Sequence, residues 1–110
     1  MNTLFSYLYR DACNYKRFKE VVLSGQAVMN DLLPYLHDNE FFIPSEVGLD
    51  DLQDDPFTIH DHIWHEIDSI SETLKKPTVK INAKLFIGAF QKSCLEDWNQ
   101  YTVFLRKGLI

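Results

Sequence analysis

The 110-residue sequence has few of the residues that punctuate or staple small folds: four glycines, four prolines and two cysteines. Cys13 and Cys94 stand far apart and in no CxxC or zinc-ribbon spacing, so neither a disulfide framework nor a structural zinc site organises the chain. Two free, partly buried thiols are expected rather than one long-range bridge. No apolar run approaches the roughly 20 residues of a membrane span, and the segment that opens the chain lacks a basic stretch followed by a continuous apolar one. The expectation is a cytoplasmic protein with no membrane partner. P-loop, GxGxxG and GxSxG patterns are missing and neither cysteine has a histidine beside it, so phosphate-cradle and nucleophile-elbow enzymes have no support in the sequence. Positive charge is also scarce. Eleven Lys and Arg against sixteen Asp and Glu give a net charge of −5, which argues against a phosphate-binding groove over most of the surface.

What is present is an ordinary globular balance, 45% hydrophobic and 25% charged, in a length that suits one domain spanning residues 1–110. Aromatic residues make up 14%, so the core or an interface is aromatic-rich. Residues 4–10 alternate as a strand, with Phe5, Tyr7 and Tyr9 on one side and Leu4, Ser6 and Leu8 on the other. Residues 18–23 end in β-branched residues before Ser24-Gly25 and predict a second strand antiparallel to the first.

Val28, Met29, Leu32, Leu33, Tyr35 and Leu36 recur at helical spacing and predict a helix over residues 27–37, against the objection of Pro34. Phe41-Phe42-Ile43 ahead of Pro44 reads as extended, and residues 45–55 as a long acidic loop with one helical turn. In residues 57–74, Ile63, Ile67, Ile70 and Leu74 favour a helix, while the short apolar runs tolerate a third strand. Leu85, Phe86, Ala89, Phe90, Cys94, Leu95 and Trp98 predict a helix over residues 83–98, capped by Asn82 or Thr78. Gly88 within it leaves room for another element to approach closely. The tail from Tyr101 continues the helix or adds an edge strand. The fold class is α+β: an antiparallel sheet of three or more strands, the third from residues 64–69 or the tail, packed against two to three helices.

The densest polar cluster is His60-Asp61-His62-Ile63-Trp64-His65-Glu66. On a helix, His62 and Glu66 share one face and Asp61 and His65 another, so either pair supplies half of a divalent-metal site, with a carboxylate from Asp50, Asp51, Asp54, Asp55 or the first-strand end Arg10-Asp11 completing it. His65-Glu66 does not begin an HExxH motif, because Ser69 stands where the second histidine belongs. The favoured reading is the plainer one, in which these histidines cap, satisfy backbone groups or lie on the surface. Phe41, Phe42, Trp64 and Trp98 form a candidate interface patch, of which Phe41, Phe42 and Trp98 are rather expected in the core, whereas Trp64, embedded among polar residues, is the more exposed ring. Tyr7, Tyr9, Arg10, Asn14, Tyr15 and Lys16 have the composition of a single-strand nucleic-acid surface, but the acidic chain lacks an RNP-like motif and this is the least favoured reading.

Tyr7-Leu8-Tyr9-Arg10-Asp11-Ala12 with Asn14-Tyr15-Lys16, then Glu40-Phe41-Phe42-Ile43-Pro44 with Val47-Gly48-Leu49, then Asp61-His62 with Trp64-His65-Glu66 resemble a group of small bacterial proteins over about the first two thirds of the chain. That resemblance implies a bacterial, cytoplasmic setting and carries no activity over to this chain. The sequence therefore points first to a non-enzymatic binding or accessory module that meets a protein partner through Asp50, Asp51, Asp54, Asp55 and Trp64, with self-association left open and no cofactor required. The alternative is a metal-binding protein or small metal-dependent hydrolase using Asp61, His62, His65 and Glu66.

Overall fold

The computed structural model describes residues 1–53, 57–58 and 60–109. β1 (Asn2–Arg10) and β2 (Lys16–Leu23) form the expected hairpin, in antiparallel register from Thr3↔Leu23 to Arg10↔Lys16. Asp11 organises the turn: its Oδ1 accepts from the N–H groups of Cys13 (2.8 Å) and Tyr15 (3.0 Å). β3 (Phe41–Phe42) and β4 (His65–Thr73) complete a four-stranded antiparallel sheet in the order β2-β1-β4-β3. α1 (Ala83–Leu95) and α2 (Gln100–Arg106) contribute to the core on one face, so the fold is α+β, as the pattern predicts.

That core is a relay of rings. Phe5 meets Phe86 at 5.0 Å between centroids, Phe86 meets Phe90 at 5.1 Å, and Phe90 touches Phe42 and Trp98 at 5.4 Å each. Edge-to-face geometry at three of these contacts is the arrangement that ring quadrupoles favour. Among the described residues, no helix is long and apolar enough to cross a membrane.

Several expectations are corrected. Residues 27–37 form no α-helix but two 3-10 turns, Met29–Asp31 and Leu33–Tyr35. Pro34 has no N–H to donate, the Asp31 carboxylate takes the Val28 N–H at 2.9 Å, and only Leu32 and Leu36 of the supposed stripe are buried with Ala27, while Val28 and Leu33 face solvent.

Of the two readings of residues 57–74 the strand holds, and the helical spacing is that of β4, which carries a bulge. Tyr7 pairs with Ile67 and Ser6 with Ser69, leaving Asp68 as the extra residue. Ile67 and Ile70 thus pair with the inward Tyr7 and Phe5 although they stand three apart, and a strand imitates the helical period. The Ser6 hydroxyl donates to the Asp68 carboxylate at 3.0 Å and satisfies the bulge.

α1 starts where expected, with Asn82 Oδ1 accepting from the Leu85 N–H at 2.8 Å, but it ends at Leu95. Asp97, Trp98 and Asn99 all adopt φ between 50° and 60°, and this left-handed stretch swings the buried Trp98 into the core and redirects the chain into α2. The buried stripe of α1 is Ala83, Phe86, Phe90 and Ser93, whereas Leu85, Cys94 and Leu95 are exposed. Among the described residues, nothing outside the helix's own turn lies within 4 Å of the space a side chain at Gly88 would take, so no other element approaches there. Cys13 and Cys94 are both free and both exposed, rather than partly buried.

Candidate binding site

The sheet's second face is not covered by the helices. Across it, Phe18, Leu8, Glu66 and Phe41 lie in one row, each directly opposite the next, spanning all four strands. At the β3 end of the row the surface folds into a cleft of about 400 Å³ lined by Arg10, Asp11, Glu40, Phe41, His62, Trp64 and Glu66. Trp64 precedes β4 and is half-buried. Its indole stacks on the His37 imidazole with centroids 4.1 Å apart and planes 6° from parallel, and Phe41 leans on it at 6.4 Å. The backbone explains how His37 arrives there: its N–H donates to the Phe41 carbonyl at 2.7 Å, closing a tight loop whose left-handed Asp38 and Asn39 let the chain reverse.

Charge in this cleft is biased. Arg10 is the lining guanidinium, and its Nε donates to Glu66 at 3.1 Å while Nη1 donates to Asn14 at 3.2 Å. Asp11 and Glu40 add two more carboxylates, so three carboxylates face one cation beside an aromatic wall. Both nitrogens of His62 are engaged. Nδ1 accepts from the Trp64 N–H at 3.0 Å, which leaves the proton on Nε2 to donate to the Arg10 carbonyl at 2.6 Å.

The remaining sequence candidates serve inside the molecule. His65 is fully buried. Its Nε2 accepts from the Leu52 N–H at 2.9 Å and Nδ1 faces the Ile63 carbonyl at 3.3 Å, and burial pushes the imidazole down to about 4. Asp61 accepts from the Tyr9 hydroxyl at 2.5 Å and from the Thr58 N–H at 2.9 Å; the Tyr9 bond, first, holds its carboxyl below the usual range. Burial raises the Tyr9 and Tyr7 phenols well above their ordinary value, and the Tyr7 hydroxyl donates to the Asp50 carbonyl at 2.7 Å. Among the described residues, no three His, Cys, Asp or Glu side chains are grouped so as to hold a metal ion.

Asp50 pairs with Lys19 at 2.8 Å. Asp51 pairs with Lys107 at 2.7 Å with both side chains less than a fifth exposed, and it also accepts the Ser45 N–H at 3.2 Å, so it pins the segment after α2 to the acidic loop. Asp54 and Asp55 lie outside the described residues. Of the aromatic and basic cluster read as a nucleic-acid surface, Tyr7 and Tyr9 are buried and the exposed ring is Tyr15.

The sequence thus picks out Trp64, Glu66, His62 and the Arg10-Asp11 strand end, names Phe41 beside Trp64 but assigns it to the core, and misses Glu40 in the lining and His37 as the ring behind Trp64. Arg10, Phe41 and Glu66 sit on three different strands, and the register that gathers them is hidden by the bulge. The pairing of Glu40 with Phe41 just before Pro44 is the one local signal for an aromatic and acidic rim. Compared with family models, with curated proteins and with solved structures, the chain matches none.

Proposed function

We propose that this chain is a protein-binding module without catalytic activity, which seats a Lys or Arg side chain of a basic partner in the Trp64 cleft. The observation that carries the reading is the half-buried Trp64, backed by His37, in a recess where carboxylates outnumber the single paired guanidinium. An ammonium or guanidinium against an indole gains about 0.5–2 kcal/mol, and neighbouring carboxylates add charge-assisted hydrogen bonds. Tryptophan anchors in partly desolvated recesses dominate interface energetics, and the chain's net charge of −5 favours encounter with a basic surface. Exposed free thiols at Cys13 and Cys94 fit a reducing compartment such as the cytoplasm.

The test is a panel of immobilised peptides in which Lys and Arg are replaced in turn by Gln. Wild-type protein is expected to select Lys- or Arg-bearing peptides, and both Trp64→Ala and Glu40→Gln to lower that selection. Binding indifferent to peptide charge, or unchanged in Trp64→Ala, would overturn the reading.

A further inference from the structure

β2 is an edge strand whose outer side is covered over only part of its length. Val22 turns both backbone groups away from β1: its N–H donates to Thr78 Oγ1 at 2.8 Å and its carbonyl accepts from the Thr78 N–H at 2.9 Å. Backbone groups alternate sides along an antiparallel strand with period two, so those of Glu20, Phe18 and Lys16 face the same way as those of Val22. Among the described residues, no backbone group pairs with them there. Their side chains lie on the face of the sheet turned away from the helices, where Phe18 is 58% exposed.

We infer that this open edge pairs antiparallel with the same edge of a second copy of the chain, centred on Phe18. The edge is self-complementary. A two-fold axis at Phe18 places Lys16 opposite Glu20 of the second copy, twice over, with the two Phe18 rings between them on the same face. This register engages all three open residues and leaves Val22 with Thr78. A parallel, in-register arrangement sets Lys16 against Lys16 and is disfavoured by charge. Asp50, which holds Lys19 with a largely exposed carboxylate, supplies negative charge where Arg17 comes opposite Lys19 of the second copy.

Two sheets joined in this way form one eight-stranded sheet, and because the axis runs perpendicular to it, both Trp64 clefts open on the same side. So short an edge buries less than about 1,200 Å², so the dimer is concentration-dependent rather than permanent.

Sedimentation equilibrium of the full chain from about 10 μM to about 1 mM tests this, with circular dichroism to confirm that each variant is folded. The wild type is expected to move from monomer to dimer over that range. Lys16→Glu, which sets Glu against Glu at both ends, is expected to weaken association at least tenfold, and the exchange Lys16→Glu with Glu20→Lys to restore it. The amides of Phe18 and Glu20 are expected to exchange more slowly as concentration rises. A chain that stays monomeric throughout, a dimer indifferent to Lys16→Glu, or a folded double exchange that fails to recover association would each overturn the inference; in the first case the edge charges act only as guards against pairing.

Discussion

The Trp64 indole lies flat on the His37 imidazole, with 4.1 Å between centroids, and this stack backs one face of a ring at the rim of the cleft. Removing the support is therefore expected to act on binding through the order of Trp64. His37→Ala should weaken basic-peptide binding by about 0.5–1.5 kcal/mol, the range of an aromatic pair, with little change in fold. Isothermal titration calorimetry of both proteins with one Lys-rich peptide checks this. Equal affinities would mean that His37 plays no part in presenting the indole.

His65 makes stability depend on pH. Its folded value of about 4 lies below the ordinary 6.5, so between these values the unfolded chain binds the extra proton. The contribution is fully present above about 6.5, declines as pH falls toward 4, and levels off below it, for a total of about 3 kcal/mol at most. Urea unfolding at pH 7 and pH 4.5, for the wild type and for His65→Gln, measures it: the wild type should lose more stability between the two pH values than the variant does. An equal loss in both would show that His65 is not the group responsible.

The two described aspartates of the acidic loop should behave differently. Asp51→Asn leaves the Lys107 ammonium with most of its surface buried and no carboxylate at 2.7 Å, at an expected cost of about 2–4 kcal/mol. Asp50→Asn breaks a pair whose carboxylate is 80% exposed and should change stability by no more than about 0.5 kcal/mol. Thermal unfolding of the two variants side by side gives the comparison, and a similar loss in each would contradict the placement of Asp51.

The parts of this fold that were legible in the sequence are those in which local pattern and tertiary environment agree. β1 is legible because Phe5, Tyr7 and Tyr9 recur at period two on one side and are all buried, and Asn82 caps the helix that it announces. The pattern misled where a local irregularity intervened. Asp68, inserted at the bulge, gave β4 the spacing of a helix; Pro34 and the Asp31 carboxylate broke residues 27–37 into turns; and the left-handed stretch at Asp97, Trp98 and Asn99 ended α1 early. In the cleft, Trp64 stood out because a large ring among polar residues is conspicuous in one dimension. Arg10, His37, Glu40 and Phe41 reach it only through strand register and loop reversal, which a single sequence does not display. His65 looked like chemistry and proved to be a buried acceptor for the Leu52 N–H.

The most direct test of the proposed binding cleft is the indole N–H resonance of Trp64 in a proton–nitrogen correlation spectrum, with the deeply buried Trp98 as an internal reference. On titration with a Lys- and Arg-rich peptide, the Trp64 signal is expected to shift saturably, the Trp98 signal to stay in place, and the Trp64 response to weaken with added salt. A Trp64 signal that does not move, or that moves equally with an acidic peptide of the same length, would contradict the account.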